Sequence, residues 1–559
     1  MAMIQVIFSI LLFSSMSSAQ WESSFNQNSW AASNSNPTWL IQRTEWTERD
    51  EQKFSDFVAI IGNLVETRKC RSLDQCLKHP ANPYRGTDPS SLVVFADCSR
   101  LPYVLRAYFA WKNQLPFSFS TSVKARDIEG NTSTDIRYSR FGNEVTSRRD
   151  VIQKNPRSPL LALQQIQTVI DSVSSAHFRM NYQGNDTGLF SDFYPVRLDR
   201  NGVRPGTIIY DPNGHVALVS RISDDGRIFY IDSHPDNSIT FGMYGTKFVR
   251  SHPGQGAGFK NFRPLRLVNA QQNADGSYVG GFIQAVPNRQ LPLYSVEQFF
   301  GSEGQTLADT EWKKGQFLFN GQSFGFYDFL RQRLAKTNFK ENPLEEIRSL
   351  TEDLCYATQD RVFAVEDAIK AKIHLKPAPE RLPYNIYGTS GEWEAYSTPS
   401  RDARLKTSFK ELRDLAQTLV EGFQRHPENY LYQGSDLKID LLNAYLEKAQ
   451  ACRFSYTNSQ GQRVALNLET VRTRLFDLSF DPYQCIERRW GAQGQELSSC
   501  QDDSRKNFWY ERQRWLRNQV DRRYDVRMDY SPEELTGPLP GVGERQAPDV
   551  DVVGYLRSR

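Results

Sequence analysis

The sequence predicts an α+β domain followed by a mainly α-helical region, and three observations carry that prediction. Between about Trp39 and Arg266, short runs rich in β-branched and aromatic residues alternate with segments of helical period. Beyond about residue 290 the pattern changes to long amphipathic segments. Hydrophobic residues are 39% and aromatics 12% of the 559, which is enough apolar surface for several cores and excludes a disordered chain. The 68 Lys+Arg and 65 Asp+Glu nearly cancel to a net charge of +3, so a polybasic nucleic-acid binder is excluded as well.

Residues 1–19 carry an apolar run from Ile4 to Phe13 that leads into Ser17-Ser18-Ala19. Small residues before Gln20 mark a secretory signal peptide, and the run of roughly 10 residues is half of the ~20 that a spanning helix needs. The mature chain is therefore expected to be secreted or periplasmic, without a membrane span. Residues 20–38, rich in Ser, Asn and Trp, read as a flexible N-terminal arm.

Residues 39–270 form the expected α+β domain. Strand-like runs fall at Leu92 to Phe95, Thr207 to Tyr210, Val216 to Ile222 and Ile228 to Ile231, with helices after Cys98 and across Leu160 to Val173. A helical insertion is expected around residues 128–200. In the helical region, residues 290–530, Asn342-Pro343-Leu344-Glu345 supplies an N-cap, a proline at the first helical position and an acid at the third, opening a helix that could run to Lys372. Phe409, Leu412, Leu415, Ala416, Leu419, Val420 and Phe423 line one face of another. Residues 531–559, with four prolines and alternating charge, read as a mobile tail.

The chain has seven cysteines, and an oxidising compartment would leave one thiol over. Cys70 and Cys76 are close in sequence, as are Cys485 and Cys500, while Cys355 and Cys452 sit in two helical segments; pairing them so leaves Cys98, although six cysteines admit about 15 pairings. Leu101, Val104, Leu105, Tyr108 and Phe109 recur at helical spacing, so Cys98 lies in a first helical turn, where the macrodipole favours a thiolate. Such a thiolate would react with iodoacetamide at about pH 6, where an ordinary thiol barely does.

A thiolate nucleophile needs a base. His215 opens a strand after the turn Asp211-Pro212-Asn213-Gly214, and Asp224-Asp225-Gly226 signals a hairpin whose return strand ends Ile231-Asp232-Ser233-His234. With a two-residue loop, His215 shares a sheet face with Asp232 and His234, either of which could orient its ring, while Phe229 and Ile231 point the other way. His79, His177, His252, His374 and His426 lack metal-ligand spacing, so no metal is expected.

The ordered pieces Pro83-Tyr84, Gly86, Pro89, Asp97-Cys98-Ser99, Leu101, Pro205-Gly206, Gly214-His215-Val216 and Asp232 resemble the NlpC-type cell-wall cysteine peptidases, and more distantly the CHAP amidases. The resemblance covers about Pro83 to Gly242 and implies a papain-like fold. It implies Cys98 as nucleophile, His215 as base and Asp232, with His234 as the alternative, as the orienting residue. Tyr84, Asp97, Ser99 and Arg100 would lie on the substrate side. Arg100 stands where the family usually has Gly, and Thr207 where it usually has Asp. The implied function is hydrolysis of an amide in peptidoglycan stem peptides or a related peptide, with no cofactor. The alternatives are a transglutaminase-like acyltransferase and a non-catalytic secreted binding protein on the same core. Arg488-Arg489-Trp490 and Arg512 to Arg523 are candidates for a cell-wall glycan contact, or else a solvated basic helix face.

Overall fold

The computed structural model describes residues 37–126, 135–183, 189–302, 307–337, 339–388 and 391–558. The segments expected to form the signal peptide, most of the arm and part of the insertion lie outside the described residues. The chain is mixed α and β, as expected. No described helix is long and apolar enough to cross a membrane.

Thr47 caps α1 (Glu48–Glu66) by accepting from the Asp50 amide, and the Asp50 carboxylate returns the bond to the Thr47 amide. The short α2 (Leu73–Lys78) follows, and α3 (Arg100–Lys112) buries nearly all of its residues. Then β1 (Ser118–Ala125) and β2 (Asn143–Asp150) pair as an antiparallel ribbon, and α4 (Ala162–Ser172) packs beside them. The central element is a six-stranded sheet built from β3 (Phe193–Pro195), β4 (Ile208–Asp211), β5 (His215–Ile222), β6 (Ile228–Ser233), β7 (Ile239–Met243) and β8 (Gly258–Phe262). Its spatial order is β3-β8-β4-β5-β6-β7 and every pairing is antiparallel.

Period-2 alternation gives this sheet two apolar faces. Ile208, Tyr210, Val216, Leu218 and Ile231 pack against α1 and α3, while Ile209, Ala217, Val219, Ile228 and Tyr230 face the other way. A sheet apolar on both sides needs two covers. The second is supplied by residues 286–334, including α5 (Glu297–Phe300) and α6 (Phe326–Leu334), which places Phe326, Phe329, Leu330 and Leu334 on that face. The sheet unit therefore extends to about residue 334, past the boundary expected near 270–290.

The β5–β6 hairpin reaches its register by an unexpected route. The loop has three residues, Asp224 to Gly226, between Ser223 and Arg227, whose backbones hydrogen-bond, and Gly226 takes a φ of +84°. A bulge at Ser220 compensates the extra residue, so that Leu218 faces Ile231, the same register that an Asp224-Asp225 loop would give. His215, Asp232 and His234 thus share a face as expected.

The helical half begins at α7 (Pro343–Lys370), capped by Asn342 as the sequence predicts. After α8 (Glu392–Tyr396), α9 (Pro399–Arg425) and α10 (Leu437–Ala451) pack on α7 through Leu350, Leu354, Phe409, Leu412, Leu419 and Leu441.

Four expectations are corrected. Leu92 to Phe95 alternates in burial, with Val93 75% and Phe95 42% exposed, but pairs with no described strand and runs as an extended loop. The 128–200 insertion is not helical throughout, since it contributes β2 and β3 as well as α4. Residues 531–558 are no mobile tail, because Leu535 and Val542 enter one core and Val550, Val552 and Leu556 the helical core. Arg489, Trp490 and Arg517 are buried, so that part of the expected glycan-binding or solvated surface is interior.

The disulfides are Cys70–Cys76, Cys355–Cys452 and Cys485–Cys500, and Cys98 is free. Cys355–Cys452 joins α7 to the end of α10, closing a separation of 97 residues. Unfolding the oxidised protein in denaturant without reductant and treating it with iodoacetamide is expected to label Cys98 alone in a peptide map. Label at any other cysteine would show that the pairing is wrong.

Candidate active site

Asp97 shapes the start of α3. Its carboxylate accepts from the amides of Ser99 and Arg100, both at 3.0 Å, and from the Ser99 hydroxyl at 2.8 Å. Arg100 ion-pairs with the same carboxylate and donates through Nε to the Ile170 carbonyl at 2.6 Å. Arg100 is thus bound into the helix cap and α4.

Cys98 is half-buried beside the residues that flank His215. Its Sγ lies 4.0 Å from the Gly214 carbonyl and also faces the Val216 amide. The turn before His215 depends on Gly214, whose φ of +83° a larger residue would adopt only under strain. That turn is anchored from the helical half, where Arg522 ion-pairs with Asp211 at 2.8 Å.

Cys98 is held opposite the sheet by two bonds from the segment before it. The Ser233 hydroxyl donates to the Ala96 carbonyl at 2.6 Å, and the Ala96 amide donates to Asn237 Oδ1 at 3.2 Å.

His215 Nε2 lies 2.6 Å from Asp232 Oδ2, which leaves Nδ1 as the ring nitrogen for proton exchange. Asp232 Oδ1 accepts from the Thr240 hydroxyl and lies 3.7 Å from His234 Nε2. His234 Nε2 meets Thr240 Oγ1 at 2.9 Å, and its ring stacks 6.1 Å from that of His215. Of the two candidate orienting residues, Asp232 bonds to His215 and His234 backs Asp232.

The charges follow from burial and neighbours. Burial pushes the Cys98 thiol up to about 12, and the Asp97 carboxylate adds to the rise. This reverses the expectation of a resting thiolate, because Asp97 already occupies the positive end of α3 that would have favoured the sulfur anion. Burial also lowers the His215 pKa, reinforced by Arg404, against the pull of Asp232. Burial alone would raise Asp232, but His234, His215 and Arg404 outweigh it and hold the carboxyl well below the ordinary range. His234 is lowered by burial and by Arg401.

A cavity of about 310 Å³ opens onto Asp97, Cys98, Ser99, Arg100, His215 and His234. Tyr84 is elsewhere. Its ring is buried among Phe57, Tyr108 and Phe109, and its hydroxyl accepts from Asn113 at 2.9 Å, so it is a core residue rather than a substrate contact. What the sequence reading missed is the cavity's far wall, formed by Tyr387, Thr398, Arg401, Arg404 and Tyr524 from the helical half. No local motif marks these residues, which tertiary packing brings to the site.

Among the described residues, the group spaced to hold a metal is Cys485, Glu487 and Cys500, and its two cysteines are joined in a disulfide. No family model, no curated protein and no solved structure matches the chain.

With the thiol raised, Cys98 in the folded protein is expected to react with iodoacetamide at about pH 7 more slowly than free cysteine. Asp97→Asn keeps the cap and removes the charge, so it is expected to speed the labelling several-fold. An unchanged rate would remove Asp97 as a cause of the raised pKa.

Proposed function

We propose that this protein is a secreted thiol hydrolase on a papain-like core that cleaves an amide in peptidoglycan stem peptides or a related peptide. The observation that carries this reading is the free thiol of Cys98 against the Gly214 carbonyl, lining one cavity with a His215 that is hydrogen-bonded to Asp232. The resemblance to NlpC-type peptidases and the three disulfides support it from independent directions.

At rest the pair is neutral, with Cys98 as thiol and His215 as imidazole. As sulfur attacks the carbonyl carbon, the thiol proton passes to His215 and Asp232 supports the imidazolium. Collapse of the tetrahedral adduct breaks the C–N bond, and the His215 proton goes to the departing amine, leaving a thioester on Cys98. Water then gives a proton to His215 and attacks the thioester; the C–S bond breaks, the acid leaves, and the His215 proton returns to the Cys98 sulfur to restore the thiol and the neutral imidazole. Arg404 near His215 and the low pKa of Asp232 keep this relay poised with a neutral ring and an ionised carboxylate.

The raised thiol pKa favours one alternative, a secreted binding protein in which the same core is inert. Digestion of purified peptidoglycan decides between them. Wild-type protein is expected to release peptide fragments detectable by mass spectrometry and Cys98→Ala to release none, with Asp232→Asn lowering the rate by on the order of 10²-fold or more. No release by wild type from sacculi of several sources would exclude the cell-wall hydrolase.

The pH profile tests the neutral pair. Because His215 must be unprotonated and its pKa is lowered, the acid limb of kcat/KM is expected below the ordinary imidazole value of 6.5. Because the thiol is raised, the basic limb is expected above about pH 9. A basic limb near the ordinary thiol pKa of ~8.5 would contradict the raised thiol.

A further inference from the structure

The cavity beside Cys98 has a charge that the relay above does not use as a ligand. Three of the arginines on its wall are paired, Arg100 with Asp97, Arg401 with Asp236 at 2.8 Å and Arg137 with Asp135 at 2.8 Å. Arg404 also lines the cavity, and among the described residues it makes neither a hydrogen bond nor an ion pair. Its side chain is half-buried on the second turn of α9, a 27-residue helix whose N-cap Thr398 and first residues Pro399 to Arg401 line the same wall and direct the positive end of the helix toward it. Arg404 lines the same cavity as Cys98, His215 and His234, and its charge also bears on the buried Asp232 carboxylate that holds His215. The acid not held by an arginine on the lining is Glu394, an exposed residue of α8 beside Asp97 and Arg100.

We propose that Arg404 determines specificity by holding a carboxylate of the substrate beside Cys98. The planar guanidinium binds a carboxylate through two parallel N–H bonds, and the half-buried setting of Arg404 strengthens the pair relative to one in open water. The favoured substrate is then a peptide with a free or side-chain carboxylate close to the scissile amide, its anionic group on the α9 wall. Glu394 acts against a second anion at the opposite end. The proposal rests on the same cavity as the hydrolase reading, but its test requires no turnover.

Two alkylating reagents of nearly equal size and different charge, iodoacetate and iodoacetamide, probe the subsite at Cys98. In the full mature protein at low salt, the iodoacetate-to-iodoacetamide rate ratio at Cys98 is expected to exceed that of free cysteine by on the order of tenfold. The excess is expected to shrink in about 0.5 M salt, to disappear in Arg404→Gln and to survive in part in Arg404→Lys. Arg137→Gln, which removes a paired rim cation, is expected to leave it largely unchanged. A wild-type ratio equal to that of free cysteine overturns the proposal, as does an excess that Arg404→Gln retains. Should Arg404→Gln fail to fold, an excess in the wild type that salt does not reduce overturns it instead. Peptidoglycan digestion that proceeds while the ratio shows no excess overturns the role of Arg404 alone. An excess without digestion overturns the hydrolase and leaves the carboxylate subsite standing.

Discussion

The pairing of β5 with β6 is the constraint on which the candidate site depends. It sets His215 against Asp232, and by the same alternation sends Leu218 and Ile231 into the core beneath α1 and α3. A slip of one residue would turn every side chain of the strand to the other face and break the site and both cores together. The bulge at Ser220 and the Gly226 turn therefore act as one device, since the extra loop residue is tolerated only because the bulge absorbs it.

Around that hairpin, carboxylates that border the cavity or the turn before His215 are matched by cations. Asp97 is satisfied by the first turn of α3 and by Arg100, Asp236 by Arg401, and Asp211 by Arg522. An unpaired buried carboxylate would cost several kcal/mol, so each pair also fixes a loop that borders the cavity. The same economy explains the resting thiol. Burial and the Asp97 carboxylate at the helix N-terminus both disfavour an anion at Cys98.

The two halves of the chain meet at the cavity rather than standing apart as a catalytic unit and a recognition unit. Arg522 steadies the turn before His215, Arg401 steadies the loop after His234, and the start of α9 closes the far wall. The helical half is in turn stapled by Cys355–Cys452 and closed by the packed residues 531–558. A rigid frame of this kind is what a site built from distant segments requires.

Local signals determined much of this protein. The Asn342-Pro343 cap and the spacing from Phe409 to Phe423 are complete within one helix each, and backbone hydrogen bonding with neighbours three and four residues away made them legible. The Cys98 turn, the strand opened by His215 and the shared face with Asp232 were legible because a strand's period is local, and the odd cysteine was legible because three sensible pairs left it over. Tertiary structure decided the rest. Tyr84 became core because its ring fits between α1 and α3, and the extended run at Leu92 found no strand to pair with. Residues 286–334 joined the sheet because its second apolar face needed a cover, and the thiol pKa rose because tertiary packing buried the sulfur and set Asp97 beside it. Each of these outcomes depends on which surfaces meet across long sequence separations, and no spacing within a single segment encodes that.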